Sequence, residues 1–287
     1  MRPAIARKES KVRIDQLLHD RGLARSRSAA AALVMSGRVR VGGRQVDKPG
    51  TTVDPDSEVV LAPAPRAWAS RGALKLEGAL DAFGIDPAGM TALDIGASTG
   101  GFTDCLLRRG AARVVALDVG KGQLDWTLRN DPRVVVLDGI NARYLSADQL
   151  PAGCVPFPLA VIDVSFISLR HIFPAVAALI DPGSAADPAS SQGRCLALVK
   201  PQFEVGRGHV GKGGIVRDPA LRQRAIVDAA GHAMGAGFAV AAIAASVLPG
   251  AEGNREYFLH LIRANEGSAI LTMEEIERDA FAIAQED

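Results

Sequence analysis

Five short apolar stretches, separated by segments with helical spacing, constrain the fold of this chain more than any other feature. They are rich in β-branched residues, and most end in a charged residue followed by a turn: 92–95, 113–118, 134–138, 159–163 and 194–200. Helical patterns lie at 101–109, at 122–130, after Ser168 and at 219–235, and two further apolar runs follow at 239–247 and 257–262. Strands that alternate with helices indicate βαβ units. The pattern therefore predicts an α/β fold with a mainly parallel sheet.

The N-terminal segment has a different pattern, typical of a small α+β domain. We expect a helix that includes Val12–Leu18 and ends at Gly22, because glycine readily takes the left-handed conformation that ends helices. A second helix over 29–35 would be capped by Ser26 or Ser28. A hairpin around Gly42-Gly43 and a strand at 58–61 complete the pattern.

The two parts are joined by a proline-rich stretch. Ala and Pro alternate at 62–65, which excludes regular structure and indicates a semi-rigid linker. We therefore predict a small domain at 1–61, a linker at 62–69 and an α/β domain at 70–287. The stretch 182–193, rich in Ala, Ser, Pro and Gly, is expected to be a mobile surface loop.

The charge of the chain is unevenly distributed. The whole chain has 33 Lys and Arg against 32 Asp and Glu, but residues 1–66 hold 13 basic and 7 acidic residues, and the remainder holds 20 and 25. A basic head on a mildly acidic body indicates a nucleic-acid-binding module joined to another domain.

Other features exclude several classes of protein. No apolar run is long enough to span a membrane, and the N-terminus lacks the apolar core of a signal peptide, so we expect a cytoplasmic protein without a membrane partner. The three cysteines are widely spaced and odd in number, which fits free thiols and predicts neither a disulfide framework nor a zinc site.

A glycine-rich turn after the first of the five strands is the strongest local signal. The stretch Leu93–Phe102, which reads LDIGASTGGF, leads from a strand into a helix, where glycines allow close approach of a ligand to the backbone. It lacks the Gly-Lys-Ser/Thr of a P-loop and the G-x-G-x-x-G spacing of dinucleotide binders. Asp94 instead suits the D-x-G-x-x-x-G pattern of S-adenosylmethionine enzymes, and Asp118, at the end of the next strand, is placed to accept ribose hydroxyls.

Several motifs together resemble a known family. Asp94–Phe102, 117–123, 163–168 and 198–204 resemble the FtsJ-like ribose 2′-O-methyltransferases, and the head resembles an S4 RNA-binding domain. This combination, with the SRGALKL stretch at 70–76, is similar to the TlyA (haemolysin A-like) family over roughly residues 11–264. One minor departure is Ala73, where the family usually has a second glycine. The resemblance implies a Rossmann-like methyltransferase domain that uses S-adenosylmethionine.

The family also implies a catalytic Lys-Asp-Lys-Glu tetrad, which matches Lys75, Asp163, Lys200 and Glu256. Because a ribose 2′-hydroxyl is a weak acid, its proton must be removed or its developing negative charge stabilised, and Lys200 suits either role. Glu204 competes with Glu256 for the fourth position, but the Gly-Asn-x-Glu context favours Glu256.

The cofactor site follows from the glycine turn and the ends of the next strands. Its predicted residues are Asp94, Gly96, Ser98, Thr99, Gly100, Gly101, Phe102, Asp118, Asp138 and Asn141. Asp138 and Asn141 are candidates for adenine recognition, although turn residues after a strand are nearly as good an explanation. Lys121, Gln123 and Trp126 are either packing or surface residues, and Phe166 either lines the target pocket or belongs to the core.

The RNA-binding residues are expected on the basic head, at helix starts and on the hairpin: Arg13, Arg25, Arg27, Arg38, Arg40, Arg44 and Lys48. The head has no aromatic residue, so stacking on bases is not expected, and contacts to phosphates are. The resemblance implies ribosomal RNA or ribosomal subunits as the partner and a cytidine as the target. No obligate protein partner is inferred.

Two other functions remain as alternatives. One is an RNA-binding or ribosome-assembly protein with an inactive methyltransferase fold, which the complete tetrad disfavours. The other is a haemolysin, which the lack of a membrane-spanning segment disfavours. A pseudouridine synthase can also have an S4 head, but its catalytic domain would lack this glycine turn.

Overall fold

The computed structural model describes residues 11–62, 67–183, 192–250, 252–263 and 270–285, except for the side chain of Arg207. The chain divides into two compact units, Met1–Ala67 and Trp68–Asp287. The middle of the predicted linker, 63–66, and most of the predicted loop at 182–193 lie outside the described residues.

The N-terminal unit combines two helices with short antiparallel strands. Its elements are β1 (Val12–Arg13), α1 (Ile14–Asp20), α2 (Arg27–Met35), β2 (Val39–Val41), β3 (Arg44–Val46), β4 (Thr52–Val53) and β5 (Val59–Leu61). Strand β2 lies between β3 and β5, and β1 pairs with β4. The small core includes Ile14, Leu18 and Val34. The fold of this unit is the predicted α+β type.

Two local details of this unit were not determined by the sequence. The Ser26 hydroxyl accepts a hydrogen bond from the Ala29 amide at 3.1 Å, so Ser26 is the N-cap of α2. The prediction missed β1, because a two-residue strand is too short to show alternation. Val12 therefore belongs to a strand, and the first helix begins at Ile14.

The larger unit is a seven-stranded sheet with helices on both faces. Its elements are α3 (Gly72–Phe83), β6 (Thr91–Ile95), α4 (Gly101–Arg108), β7 (Arg113–Asp118), α5 (Trp126–Arg129), β8 (Val134–Asp138), β9 (Leu159–Ile162), α6 (Phe173–Ala177), β10 (Arg194–Val199), α7 (Pro201–Glu204), α8 (Pro219–Gly235), β11 (Phe238–Ala245), β12 (Tyr257–Arg263) and α9 (Met273–Gln285). The strand order is β11-β12-β10-β9-β6-β7-β8, in which β12 is antiparallel to both of its neighbours and the other pairs are parallel. This arrangement confirms the predicted α/β fold.

The alternation of side chains along the strands fills two cores. In β6, Leu93 and Ile95 point into the core that includes residues of α6, α8 and α9, while Ala92 points into the core shared with α3 and α4. Both faces of the sheet are covered, which explains why the strands are almost continuously apolar.

The helices of this unit differ from the expected pattern in three places. The helix predicted at 122–130 is limited to α5, because Gly122 has a φ of 67° and the Asp125 side chain caps the helix just before Trp126. After Ser168, a 3₁₀ turn at Leu169–His171 precedes the short α6. Helix α9 was not predicted, although Ile276, Ala280 and Ala284 recur at the spacing of one buried helix face.

Candidate active site

The site lies where the order of the parallel strands reverses. Strand β6 has β7 on one side and β9 on the other, and such switch points leave a crevice beyond the carboxyl ends of the strands. At that edge the backbones after β6 and β9 approach closely, because a Cβ at Gly96 would lie 2.4 Å from the carbonyl oxygen of Asp163. Glycine is therefore required at position 96 for space as well as for its φ of 84°.

The turn after β6 is held by the carboxylate of Asp118. The amides of Ser98 and Gly120 donate to its two oxygens at 2.8 and 2.7 Å. Ser98 itself has a φ of 47°, in the left-handed region that is uncommon for residues other than glycine. The arrangement exposes the turn at the N-terminus of α4 and places Asp118 beside it.

Asp94 lies beneath this turn. It is fully buried, and the Thr103 hydroxyl of α4 donates to its Oδ2 atom at 2.6 Å. Burial raises the pKa of Asp94 to about 7, and the Thr103 hydrogen bond opposes that rise. Asp94 borders neither of the cavities at this edge, so its predicted role in cofactor binding stays a prediction, and its contacts in the structure are with α4.

Two cavities open at the carboxyl edge and share Ser98 and Asp163. The first, of about 410 Å³, is lined by the start of α3, including Arg71 and Lys75, and by the glycine turn, including Thr99, Gly101 and Phe102. The second, of about 340 Å³, combines Asp118 and Asn141 with the apolar side chains of Leu117, Ile140 and Ile172. Most of the predicted site residues therefore lie around one continuous region.

Lys200 is held at this edge by two groups that follow β9. Its Nζ atom lies 2.5 Å from Oδ1 of Asp163 and donates to the Ser165 hydroxyl at 2.9 Å. The lysine side chain is 11% exposed. The contact with Asp163 is an ion pair and the contact with Ser165 is a hydrogen bond, so at least one of the three ammonium hydrogens remains for a further acceptor.

Lys75 and Glu256 form a second, more deeply buried pair. The Nζ atom of Lys75 donates to Oε2 of Glu256 at 2.5 Å, and both side chains are at most 10% exposed. Burial raises the pKa of Glu256, and the Lys75 ammonium opposes that rise. The structure thus brings the four predicted catalytic residues into two lysine–carboxylate pairs.

Glu204 does not contact either of these lysines. Its carboxylate accepts hydrogen bonds from the Ser168 hydroxyl at 2.6 Å and from the Leu169 amide at 3.0 Å. It therefore connects α7 to the turn after β9. The geometry supports Glu256, and not Glu204, as the partner of Lys75.

The two candidates for adenine recognition have different surroundings. Asn141 lines the second cavity and its side chain also accepts from the Arg143 amide at 3.0 Å. Asp138 lines neither cavity. Its carboxylate instead binds Arg129 at 2.6 Å, and this contact lowers the pKa of Asp138 below the usual range. Sequence reasoning missed Val119 and Ile140, which line the second cavity. The sequence did carry a signal for both, because Val119 directly follows Asp118 and Ile140 lies two residues after Asp138.

Phe166 is on the surface and not in the core. Its side chain is 90% exposed, its φ is 66°, and it borders the second cavity. Its ring lies 5.3 Å from that of Phe203. The position leaves an aromatic face close to Asp163.

Trp126, at 75% exposed, is also a surface residue, and Gln123 lines the second cavity.

The predicted RNA-binding residues of the N-terminal unit are exposed, apart from the half-buried Arg38. Arg13 and Arg27 both approach the buried carboxylate of Asp15, at 2.9 and 3.5 Å. The Arg13 guanidinium lowers the pKa of Asp15. Arg38 donates to the carbonyl of Ala62 at 3.0 Å. The other cations, Arg25, Arg40, Arg44 and Lys48, have no carboxylate partner among the described residues.

Comparison with known proteins identifies the family. The FtsJ-like methyltransferase model matches residues 68–263, and the S4 domain model matches residues 12–59. A 16S/23S rRNA (cytidine-2′-O)-methyltransferase TlyA from Mycobacterium tuberculosis is 51% identical over 88% of this chain and 90% of its own length. The chain belongs to the TlyA family. A relative from Brachyspira hyodysenteriae, named Hemolysin A, is 38% identical over 88% of this chain and its whole length.

A solved structure has the same fold over nearly the full length. A protein from Streptococcus thermophilus, described as a haemolysin, is 38% identical, covers 96% of both chains and has a TM-score of 0.67. Within the described residues, no helix is both long and apolar enough to cross a membrane.

As a TlyA-family methyltransferase, this chain uses S-adenosylmethionine as its methyl donor, and the residues of the second cavity fit that molecule. Apolar side chains, including Leu117 and Ile140, suit the adenine ring, and the Asp118 carboxylate suits the ribose hydroxyls. The carboxylates of Asp118 and Asp163 also suit the positive charge of the sulfonium group.

Proposed function

We propose that this chain methylates the 2′-oxygen of a cytidine ribose in ribosomal RNA. The observation that carries the proposal is the pairing of Lys200 with Asp163 and of Lys75 with Glu256 at the edge bordered by both cavities. The printed name of the M. tuberculosis relative supports the substrate.

In this proposal Lys200 acts on the ribose oxygen. Asp163 and Ser165 orient its ammonium group, which donates to the 2′-oxygen as the hydroxyl proton is lost to solvent and negative charge develops on that oxygen. S-adenosylmethionine, when bound, supplies an electrophilic methyl group. Lys75 and Glu256 hold each other in a buried pair that borders the first cavity and orients the ribose.

The two units have separate tasks in this proposal. Residues 1–61 bind RNA through Arg13, Arg25, Arg27, Arg38, Arg40, Arg44 and Lys48, residues 62–69 link the units, and residues 70–287 carry out methyl transfer. In the larger unit, the glycine turn with Ser98, Thr99 and Phe102, together with Asp118 and Asn141, binds the cofactor, and Phe166 contacts the target nucleotide.

The test is direct. Full-length protein is incubated with labelled S-adenosylmethionine and unmodified small or large ribosomal subunits, and the methylated nucleotide is mapped. We expect label on the 2′-oxygen of a cytidine in at least one subunit. Absence of label in both subunits and in the free RNAs would contradict the proposal and favour a non-catalytic RNA-binding protein.

The name of the Brachyspira relative provides a second candidate, lysis of membranes. Leakage of a dye from phospholipid vesicles measures that activity in purified protein. We expect no leakage above the level of a control protein at concentrations that give full methyl transfer.

A further inference from the structure

A glycine-rich cationic segment, 206–217, connects α7 to α8 and is not used in the mechanism above. It contains five glycines, at 206, 208, 211, 213 and 214. The side chains of His209, Lys212 and Arg217 are exposed and have no hydrogen-bond or ion-pair partner among the described residues. The exposed cations Lys212 and Arg217 are therefore available to an anionic ligand, although the Glu252 carboxylate lies beside Gly214 of the same segment.

The backbone of this segment is also open to a ligand. Gly206, Gly213 and Gly214 have φ values of 81°, 80° and 76°, which glycine adopts without strain. A Cβ at Gly206, Gly208 or Gly213 would meet no atom within 4 Å. These three glycines therefore leave free space next to the backbone, as in phosphate-binding loops, whereas the amides of His209, Gly211 and Gly214 already donate to carbonyls within the segment.

Asn254 attaches this segment to the catalytic pair. It is 2% exposed, its Oδ1 atom accepts from the Val216 amide at 2.9 Å, and its Nδ2 atom donates to the Gly214 carbonyl at 2.8 Å. Asn254 precedes Glu256 by two residues, and Lys200 precedes α7 directly. Both ends of segment 206–217 are thus connected to residues of the two lysine–carboxylate pairs.

We propose that segment 206–217 binds phosphates of the RNA strand beside the target nucleotide, and that Asn254 couples this contact to the position of Glu256. The identification of the ligand as RNA rests on the proposed function. Lysine, arginine and backbone amides contact phosphates without reading sequence, and the segment contains no Phe, Tyr or Trp. It would be a second RNA contact, separate from the N-terminal unit.

The first test uses Lys212→Glu in the full-length protein. Binding to unmodified ribosomal subunits is measured at several salt concentrations, without S-adenosylmethionine. We expect weaker binding and a decrease of about 1 in the slope of log affinity against log salt, because one phosphate contact is lost. Arg113→Glu is the matched control, since Arg113 is an exposed arginine at the opposite, amino end of β7.

This measurement does not depend on methyl transfer, so it separates the two proposals. A changed slope in Lys212→Glu but not in Arg113→Glu supports the RNA contact even if no nucleotide is methylated. An unchanged slope in an enzyme that methylates normally overturns the RNA contact and leaves the proposed function intact. The same slope change in both variants also overturns it, because the effect would then be one of overall charge.

The second test concerns Asn254, which is a positioning residue in this proposal. We expect Asn254→Ala to lower both the turnover number and the slope of log RNA affinity against log salt concentration. Glu256→Gln should lower the turnover number and leave that slope unchanged. Asn254→Asp keeps the acceptor for the Val216 amide and is expected to have an intermediate effect. Loss of turnover in Asn254→Ala with the wild-type slope overturns the coupling.

Discussion

Two lysines of the site have the same chemistry but different surroundings. Lys200 is shared between Asp163 and Ser165 and keeps one ammonium hydrogen for a further acceptor. Lys75 is paired with Glu256, whose carboxylate is buried. The first arrangement suits contact with a reacting oxygen, and the second suits a fixed orientation. Lys200 is therefore the residue whose loss should affect chemistry most directly.

We expect Lys200→Ala to lower methyl transfer by about 10²- to 10⁴-fold, the range seen when a proton-transfer group or a donor to a developing oxyanion is removed. Binding of S-adenosylmethionine, measured by calorimetry, should remain. Arg113→Ala serves as the control for removing a cation elsewhere in the same unit. Wild-type turnover in Lys200→Ala would remove this residue from the mechanism.

Asp94 provides a prediction about pH. Burial raises the pKa of Asp94 from 3.8 to about 7, so the folded protein favours the neutral acid. The resulting contribution to the free energy of unfolding is fully present below about pH 4 and is lost as the pH rises to about 7. Asp94→Asn imitates the neutral acid at every pH. We expect wild-type stability to fall, relative to Asp94→Asn, by on the order of 4 kcal/mol across that interval, at 1.36 kcal/mol per pKa unit.

Chemical unfolding of both proteins at pH 4.5 and 7.5 measures the larger part of this difference, about 3 kcal/mol. Other groups titrate in the same interval, but they are common to both proteins and cancel in the comparison. Parallel stability profiles for wild type and variant would show that Asp94 is ionised in the folded state.

At the scale of elements, the turn between β6 and α4 determines where the site forms. Gly96 allows the backbones after β6 and β9 to approach, so it also determines the position of Asp163. The sequence identified this turn because its glycines and its strand–turn–helix context are local. The sequence could not indicate that the nearest neighbour of Gly96 would be Asp163, which directly follows the later strand β9.

Gly96→Ala tests this close approach. A Cβ at this position would displace the backbone of Asp163, so we expect at least a 10-fold loss of methyl transfer in addition to the roughly 1–2 kcal/mol cost of a left-handed alanine. Gly84→Ala is the matched control, since Gly84 also has a positive φ, of 61°, but has open space around it. Similar activity in the two variants would contradict the role of the close approach.

Helices were less predictable than strands. The residues of α8 were predicted over the observed range, because the helix is long and begins with Asp218 as its cap. The first part of the helix predicted at 122–130 is an irregular turn, in which the Gly122 amide donates to the Asp138 carboxylate and the Asp125 amide donates to the Thr99 carbonyl, both at 3.2 Å. Tertiary contacts outweighed local helical preference there.

For the whole molecule, the uneven charge remains the most informative global feature. Among the described residues, the cations of the N-terminal unit other than Arg38 are exposed, but Arg13 and Arg27 also bind Asp15, so their substitution would disturb the fold of that unit. Arg44 has no such partner among the described residues and is exposed on β3. It is therefore the cleaner position for testing RNA binding.

We expect Arg44→Glu to weaken binding to ribosomal subunits at moderate salt and to leave the affinity for S-adenosylmethionine unchanged, because the cofactor cavity lies in the other unit. Filter binding and calorimetry measure the two affinities. Equal RNA affinity of wild type and Arg44→Glu would place the RNA contact outside the hairpin.

The sequence by itself determined the α/β class, the glycine turn, the basic head and the family, since each of these depends on local spacing, composition or motifs. Only the tertiary structure decided which carboxylate pairs with which lysine, that Glu204 supports a turn, and that Asp94 lies beneath the site. Lys75 and Glu256 are 181 positions apart in the chain, and no local pattern relates them. Strand β12 lies beside β10 and carries Glu256 to the edge where Lys200 follows β10, and helix α3 places Lys75 against Glu256 at that edge.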